Sequence, residues 1–253
     1  MLTFTESQVL AWLTPLLWPF LRLLALFTSA PVLSQRGVPV RVKVSLAFVI
    51  AVCAQASLPP MPAIALDSPV AVLVVIQQLL IGISLGFAAR IVFAAIEFAG
   101  ELVGLQMGLN FAGFFDPTTN GQTTAVSRFY NTVVVLLFVI TNGHLLMIAA
   151  LNQSFVAFPV SPEPFEFLRR LQPHLWGIEI FKLGLWIALP MVTMLLFVNL
   201  VLGVISRVSQ QMNIFAVGFP ITLSVGLVGV LLTLPMMQAP FTMVLEQMLS
   251  KFQ

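Results

Sequence analysis

The chain has 253 residues, 59% of them hydrophobic and 8% charged, with a formal net charge of +2. Soluble domains carry roughly 25% charged residues, so the composition excludes a soluble globular protein. The few basic residues are scattered, mostly at segment ends, and build no patch for nucleic acid. The single cysteine, Cys53, excludes an intrachain disulfide framework.

Five stretches contain no Asp, Glu, Lys or Arg: Val44–Leu66, Ser68–Ala89, Phe129–Pro162, Leu183–Ser206 and Val208–Leu245. About 20 mostly apolar residues cross a bilayer as a helix, and the period-two alternation of a membrane barrel is not seen. The pattern predicts an all-α, multi-pass membrane-associated protein of about six long, kinked hydrophobic helices.

The N-terminus, MLTFTESQVL, has Glu6 and no basic residue before its apolar run. That is a poor signal peptide, so the first helix is expected to stay. Segment one runs from about Gln8 to Leu33, with Pro15, Pro19 and Pro31 inside it and Arg22 in its middle. Prolines free helix carbonyls, which membrane helices tolerate when neighbours satisfy them. A basic loop holding Arg36, Arg41 and Lys43 follows. Segment two covers about Val44–Leu58, and segment three runs from Pro69 to about Met107. Segment four spans about Ala125–Asn152. A polar connection, Gln153–Pro173, carries Glu163, Glu166, Arg169 and Arg170. Segment five is about His174–Ile205, and after SRVSQQMN segment six is about Ile214–Leu249, with Pro220, Pro235 and Pro240.

Six segments place both termini on one side. Lys and Arg collect as Arg36, Arg41, Lys43, Arg128 and Arg207 on one side, with Arg90 nearby. Arg169, Arg170, Lys182 and Lys251 lie on the other. This small bias puts both termini outside.

Segment three carries a distinctive face. At 100° per residue, Glu97, Gly100, Glu101, Gly104 and Gly108 fall within an arc of about 100°. Gly82 and Gly86 form another four-residue pair upstream. Small residues at this spacing let helices approach closely, and carboxylates in a membrane face protein or water. The arc is therefore a candidate helix-packing or interface surface. Ordinary packing with the two acids at the membrane edge, and proton coupling through them, are the alternative readings.

The next stretch, GLQMGLNFAGFFDPTTNGQTT, is irregular yet apolar. It holds Met107, Phe111, Gly113, Phe114, Phe115, Asp116 and Pro117. By residue type it fits either a packing loop anchored by phenylalanines or a constriction that bulky side chains fill and dewet.

No signal for chemistry is present. The sequence has no phosphate-cradling loop, no His-Glu-x-x-His and no Gly-x-Ser-x-Gly. His144 and His174 are far apart and read as helix-end hydrogen bonders. Asp116 has no acidic or histidine partner nearby in sequence. No catalytic residue, metal site or cofactor is expected. Two other classes fit the same residues: a secondary transporter for a small solute, suggested by broken helices and intramembrane charges, and an intramembrane enzyme using Asp116, His144 or Glu101.

Four motifs in order cover nearly the whole chain: TSAPVLSQRGVPVRVKVSLA (28–47), GISLGFAARIVFAAIEFAGELVGLQMGLNFAGFFDP (82–117), NGHLLMIAALNQSF (142–155) and SRVSQQMNIFAVGFPI (206–221). In these the chain resembles the FliR family of flagellar biosynthetic proteins and, through it, the related injectisome components. That family often has Pro-Gln before Met-Asn in the last motif. This chain has Gln210-Gln211, which leaves the shape of that turn open.

The resemblance implies a core subunit of a type III protein export gate, not an enzyme. It implies assembly with FliP-like and FliQ-like subunits, contact with FlhB-like and FlhA-like gate components, and passage of unfolded export substrates. It implies a bacterial inner-membrane location in the basal body, with part of the complex toward the periplasm. Residues 1–173 would be FliP-like and 174–253 a FliQ-like hairpin, joined as one integrated unit. The hairpin's cytoplasmic turn would hold Arg207, Gln210, Gln211 and Asn213. Residues 107–124 would form the loop that plugs the pore. The kinked segments and the acids of segment three would then meet neighbouring subunits rather than lipid.

Overall fold

The structure is a computed structural model that describes residues 6–35, 37–62, 64–65, 67–109, 123–208 and 214–253. Among these residues the secondary structure is helical throughout. The helices are α1 (Glu6–Ser29), α2 (Val40–Ala54), α3 (Pro69–Gln106), α4 (Ala125–Ile140), α5 (Gly143–Ala157), α6 (Glu166–Leu171), α7 (Trp176–Val208), α8 (Ile214–Thr233) and α9 (Gln238–Leu249). Short 3-10 turns extend α2 at Gln55–Ser57, precede α7 at Pro173–Leu175, link α8 to α9 at Leu234–Met237 and end the chain at Ser250–Phe252.

The all-α expectation holds, and the segment count changes. Among the described residues four helical stretches are long and apolar enough to cross a membrane: Val40–Ser57, Pro69–Gln106, Glu166–Val208 and Val217–Phe252. Segment four is two helices rather than one. After Ile140 the chain turns through Asn142, whose φ of 56° is left-handed, a conformation that asparagine tolerates better than most residues. Counting this broken pair as one span gives up to five. Segment one is α1, Glu6–Ser29, with an apolar stretch at Leu13–Ser29. Segment six stays one apolar run, tightened to a 3-10 turn at Pro235, which has no N–H for an α-helical bond.

The chain divides into two compact units, one of Met1–Arg90, Asn142–Trp176 and Leu245–Gln253, the other of Ile91–Thr141 and Gly177–Val244. In the first unit, α1 meets α2 through Ala47, Ala51 and Ala54, all buried. Their spacing puts one small-residue stripe against α1, and nearly all the rest of α2 is exposed or only partly covered. α3 crosses α1 at Gly82 and Gly86. A Cβ on Gly82 would strike the Arg22 carbonyl oxygen, and one on Gly86 the Ser29 side chain. Trp176 closes the unit, stacked on Phe87 at 6.2 Å and edge-on to Phe252 at 5.8 Å.

In the second unit, Phe93 packs edge-on against Phe138 and Phe241, with ring centroids 5.7 and 6.2 Å away. Phe98 lies against Phe181 at 5.2 Å, beside Gly184 of α7. Met191 and Met194 sit over Gly229 of α8.

Candidate functional site

The glycine and carboxylate face of α3 meets the first turn of α4 within the second unit. A Cβ on Gly100 would come 2.8 Å from the Ser127 Cα, and one on Gly104 2.6 Å from the Thr124 hydroxyl oxygen. The two glycines thus let the backbone of α4 lie directly on α3. Polar bonds then fix the register. Ser127 Oγ donates to the Glu97 carbonyl oxygen at 2.9 Å. Thr124 caps α4 by accepting from the Ser127 N–H at 3.2 Å.

Glu101 completes this cap from the neighbouring helix. Its Oε2 accepts from the Thr124 backbone N–H at 3.1 Å and from the Thr124 hydroxyl at 3.2 Å. A helix N-terminus leaves N–H groups without intrahelical partners and carries a partial positive charge. A carboxylate placed there satisfies both features, so Glu101 acts here as a cap supplied in trans by α3.

Gly108 has a different job from the other members of its arc. Its φ is 79°, its N–H bonds to the Leu105 carbonyl at 3.0 Å, and the Leu109 N–H reaches back to the Gly104 carbonyl at 3.1 Å. This paired pattern around a left-handed glycine is the Schellman stop. It ends α3 sharply, just before the irregular stretch. Met107 lies one residue earlier, fully buried against Gly226 of α8, where an added Cβ would come 2.5 Å from its Cγ.

Phe111, Gly113, Phe114, Phe115, Asp116 and Pro117 of the candidate plug lie outside the described residues, as do Gln210, Gln211 and Asn213 of the candidate turn. Arg207 stands exposed in the last turn of α7. His144 lies in the first turn of α5 and His174 in the 3-10 turn before α7. Among the described residues no three His, Cys, Asp or Glu side chains gather as metal ligands would.

The most elaborate polar cluster was not among the sequence-derived candidates. Arg22, fully buried in the first unit, is held by two neighbouring helices, α3 and the C-terminal end of α5. Its Nε donates to Gln78 Oε1 at 2.8 Å, Nη1 to Ser154 Oγ at 2.8 Å and Nη2 to the Phe158 carbonyl at 3.1 Å. Its guanidinium lies 3.6 Å from the centroid of the Phe155 ring. The network continues outward. Gln78 Nε2 donates to Gln77 Oε1 at 2.8 Å, and Gln77 Nε2 donates to Ser161 Oγ at 2.8 Å and to the Pro159 carbonyl at 3.2 Å. Every one of these partners of Arg22 is neutral. The available signal was the adjacent pair Gln77-Gln78 in an otherwise apolar run, since glutamines at such depth need partners.

Comparison with known proteins places the chain. The family of bacterial export proteins, family 1, matches residues 13–248. The flagellar biosynthetic protein FliR of Pectobacterium carotovorum subsp. carotovorum is 44% identical over 93% of this chain and 90% of its own length. FliR of Escherichia coli K12 is 43% identical over 95% and 92%, and FliR of Bacillus subtilis 168 is 29% identical over 83% and 82%. The chain belongs to the FliR family of bacterial export proteins.

Proposed function

We propose that this protein is a non-enzymatic core subunit of the flagellar type III export gate, working in the bacterial inner membrane. It assembles with FliP-like and FliQ-like subunits, residues 1–173 taking the FliP-like place and 174–253 the FliQ-like hairpin, and joins FlhA-like and FlhB-like components. Unfolded flagellar proteins pass through the assembled pore, and the subunit helps nucleate the basal body. Export energy comes from other components.

The segment 107–124 is the plug in this reading. The observation that carries it is the way the segment is tethered. Gly108 stops α3 and Thr124 restarts the chain on the same α3–α4 seam, locked by Glu101. A segment with both ends held at one seam stays within reach of that seam when displaced. Its phenylalanines supply apolar bulk against ions, and its glycines supply backbone freedom.

Deletion of Gly113–Thr119, with the complex still assembled by native mass spectrometry, tests the reading. Cells carrying the deletion should leak ions through the gate. Normal ion gradients with an intact complex would remove the plug role and leave the loop as a packing element.

A further inference from the structure

A shallow groove of about 440 Å³ lies on the outer face of the first unit, lined by Phe20 of α1 and by Val40, Arg41, Val44, Ser45 and Phe48 of α2. The α2 residues recur every three or four positions, so they form one stripe of just over two turns, about 12 Å long. That is most of the ~15 Å hydrocarbon depth of one leaflet. At one end Phe20 and Phe48 meet edge-on, with centroids 6.4 Å apart. At the other end stands Arg41, exposed, in the first turn of the helix.

The groove is apolar along its length and cationic only at its rim. Val40 is 72% exposed and Phe48 48% exposed, so large apolar surfaces stand open. Arg41 is the one cation that lines the groove; Lys43, two residues on, lies on the other side of the helix, and the first turn contains no acidic residue. From Ser7 to Leu66 the sequence has no Asp or Glu, yet it holds Arg22, Arg36, Arg41 and Lys43. Arg90 of α3 adds a further cation beside the approach to α2, donating to Ser34 Oγ at 2.9 Å. The N-terminus of α2 contributes its own partial positive charge.

We propose that the groove is a binding site for an anionic phospholipid, one acyl chain lying along Val44 and Phe48 and the headgroup phosphate resting on Arg41. An uncharged apolar helix would fill the groove but leave the rim unmatched. A free phosphate would match the rim but leave the groove open. Basic residues beside apolar helices attract anionic headgroups in this way. The inference needs only that the protein meets a membrane, and it stands or falls apart from the plug reading.

The full-length protein, purified in detergent, is titrated with phosphatidylglycerol and, separately, phosphatidylcholine, and retained lipid is counted by native mass spectrometry. Wild type should retain phosphatidylglycerol about fivefold more readily. The change Arg41→Gln should bring the two lipids level without lowering the melting temperature. The change Ser45→Trp, which fills the groove and keeps Arg41, should weaken retention of both lipids. Equal retention of the two lipids by wild type, or an unchanged preference in Arg41→Gln, would overturn the proposal. So would retention of neither lipid, the outcome expected if a protein partner covers the groove.

Discussion

The guanidinium of Arg22 lies 3.6 Å from the centre of the Phe155 ring, and its Nη1 donates to Ser154, the residue before that phenylalanine. The two ends of this contact are more than a hundred residues apart in the chain, Arg22 and Ser154 being separated by 132. One side chain therefore ties α1 to α5, and through Gln78 to α3 as well. Burying a cation without an acid is unfavourable in isolation. Here the fork of N–H donors is matched by three oxygens and the aromatic face supplies further attraction.

Arg22→Ala should therefore destabilise the protein severely. It leaves the Ser154 hydroxyl, the Phe158 carbonyl and the Gln78 amide oxygen short of a donor, each worth roughly 1–3 kcal/mol. Arg22→Lys keeps the charge but loses the planar fork, and should fall between wild type and Arg22→Ala. Thermal melting in detergent measures the series. An Arg22→Ala protein that melts with wild type would show that the network is dispensable.

Gly100→Ala and Gly229→Ala have opposite prospects. The added methyl at Gly100 meets the Ser127 Cα at 2.8 Å, which is backbone and cannot step aside without moving α4. At Gly229 it meets the ends of the Met191 and Met194 side chains, which are flexible. Gly100→Ala should cost about 1–3 kcal/mol. Gly229→Ala should be near neutral, because alanine also favours the helix by roughly 1 kcal/mol. Melting temperatures of the two variants decide it, and equal losses would contradict the contact geometry.

Glu101 and Thr124 should behave as a coupled pair. Glu101→Ala removes both bonds between α3 and the α4 cap, whereas Thr124→Val removes the hydroxyl bond and keeps the backbone one, so their losses should overlap by about 1 kcal/mol in a double-mutant cycle. Fully additive losses would show that the hydroxyl and the carboxylate are not coupled. On the proposed plug reading, Glu101→Ala in cells should also give a small rise in ion leakage with the complex intact.

Gly108→Ala should destabilise by roughly 1–2 kcal/mol, because its φ of 79° is strained for a residue with a Cβ. Gly108→Asn should recover part of that loss, since asparagine tolerates the left-handed region. Limited proteolysis between α3 and α4 gives a second readout. Faster cleavage in Gly108→Ala than in Gly108→Asn is the expected order.

What was legible in the sequence was local. Runs without charge announced apolar helices because such runs need no partner to be recognised. Segment three, expected from Pro69 to about Met107, is α3 from Pro69 to Gln106, for the same reason: its proline start and glycine stop are neighbours of the helix they bound. The helical spacing of Gly100, Glu101 and Gly104 likewise marked one face before any fold was known.

The tertiary structure decided which partners those faces meet. Nothing near Arg22 in the chain indicates Gln78, Ser154 or the Phe158 carbonyl, because the three are brought together only by packing of α1, α3 and α5. The division of segment four at Asn142 was carried only by the short stretch Thr141-Asn142-Gly143-His144, since the runs beyond it are apolar and hydropathy does not register a backbone turn. Gly108 shared an arc with Gly104, yet it ends the helix while Gly104 receives Thr124. Composition and periodicity report the character of a surface. The close approach of a particular backbone, and the exact geometry of a hydrogen bond, arise only when distant segments are packed together.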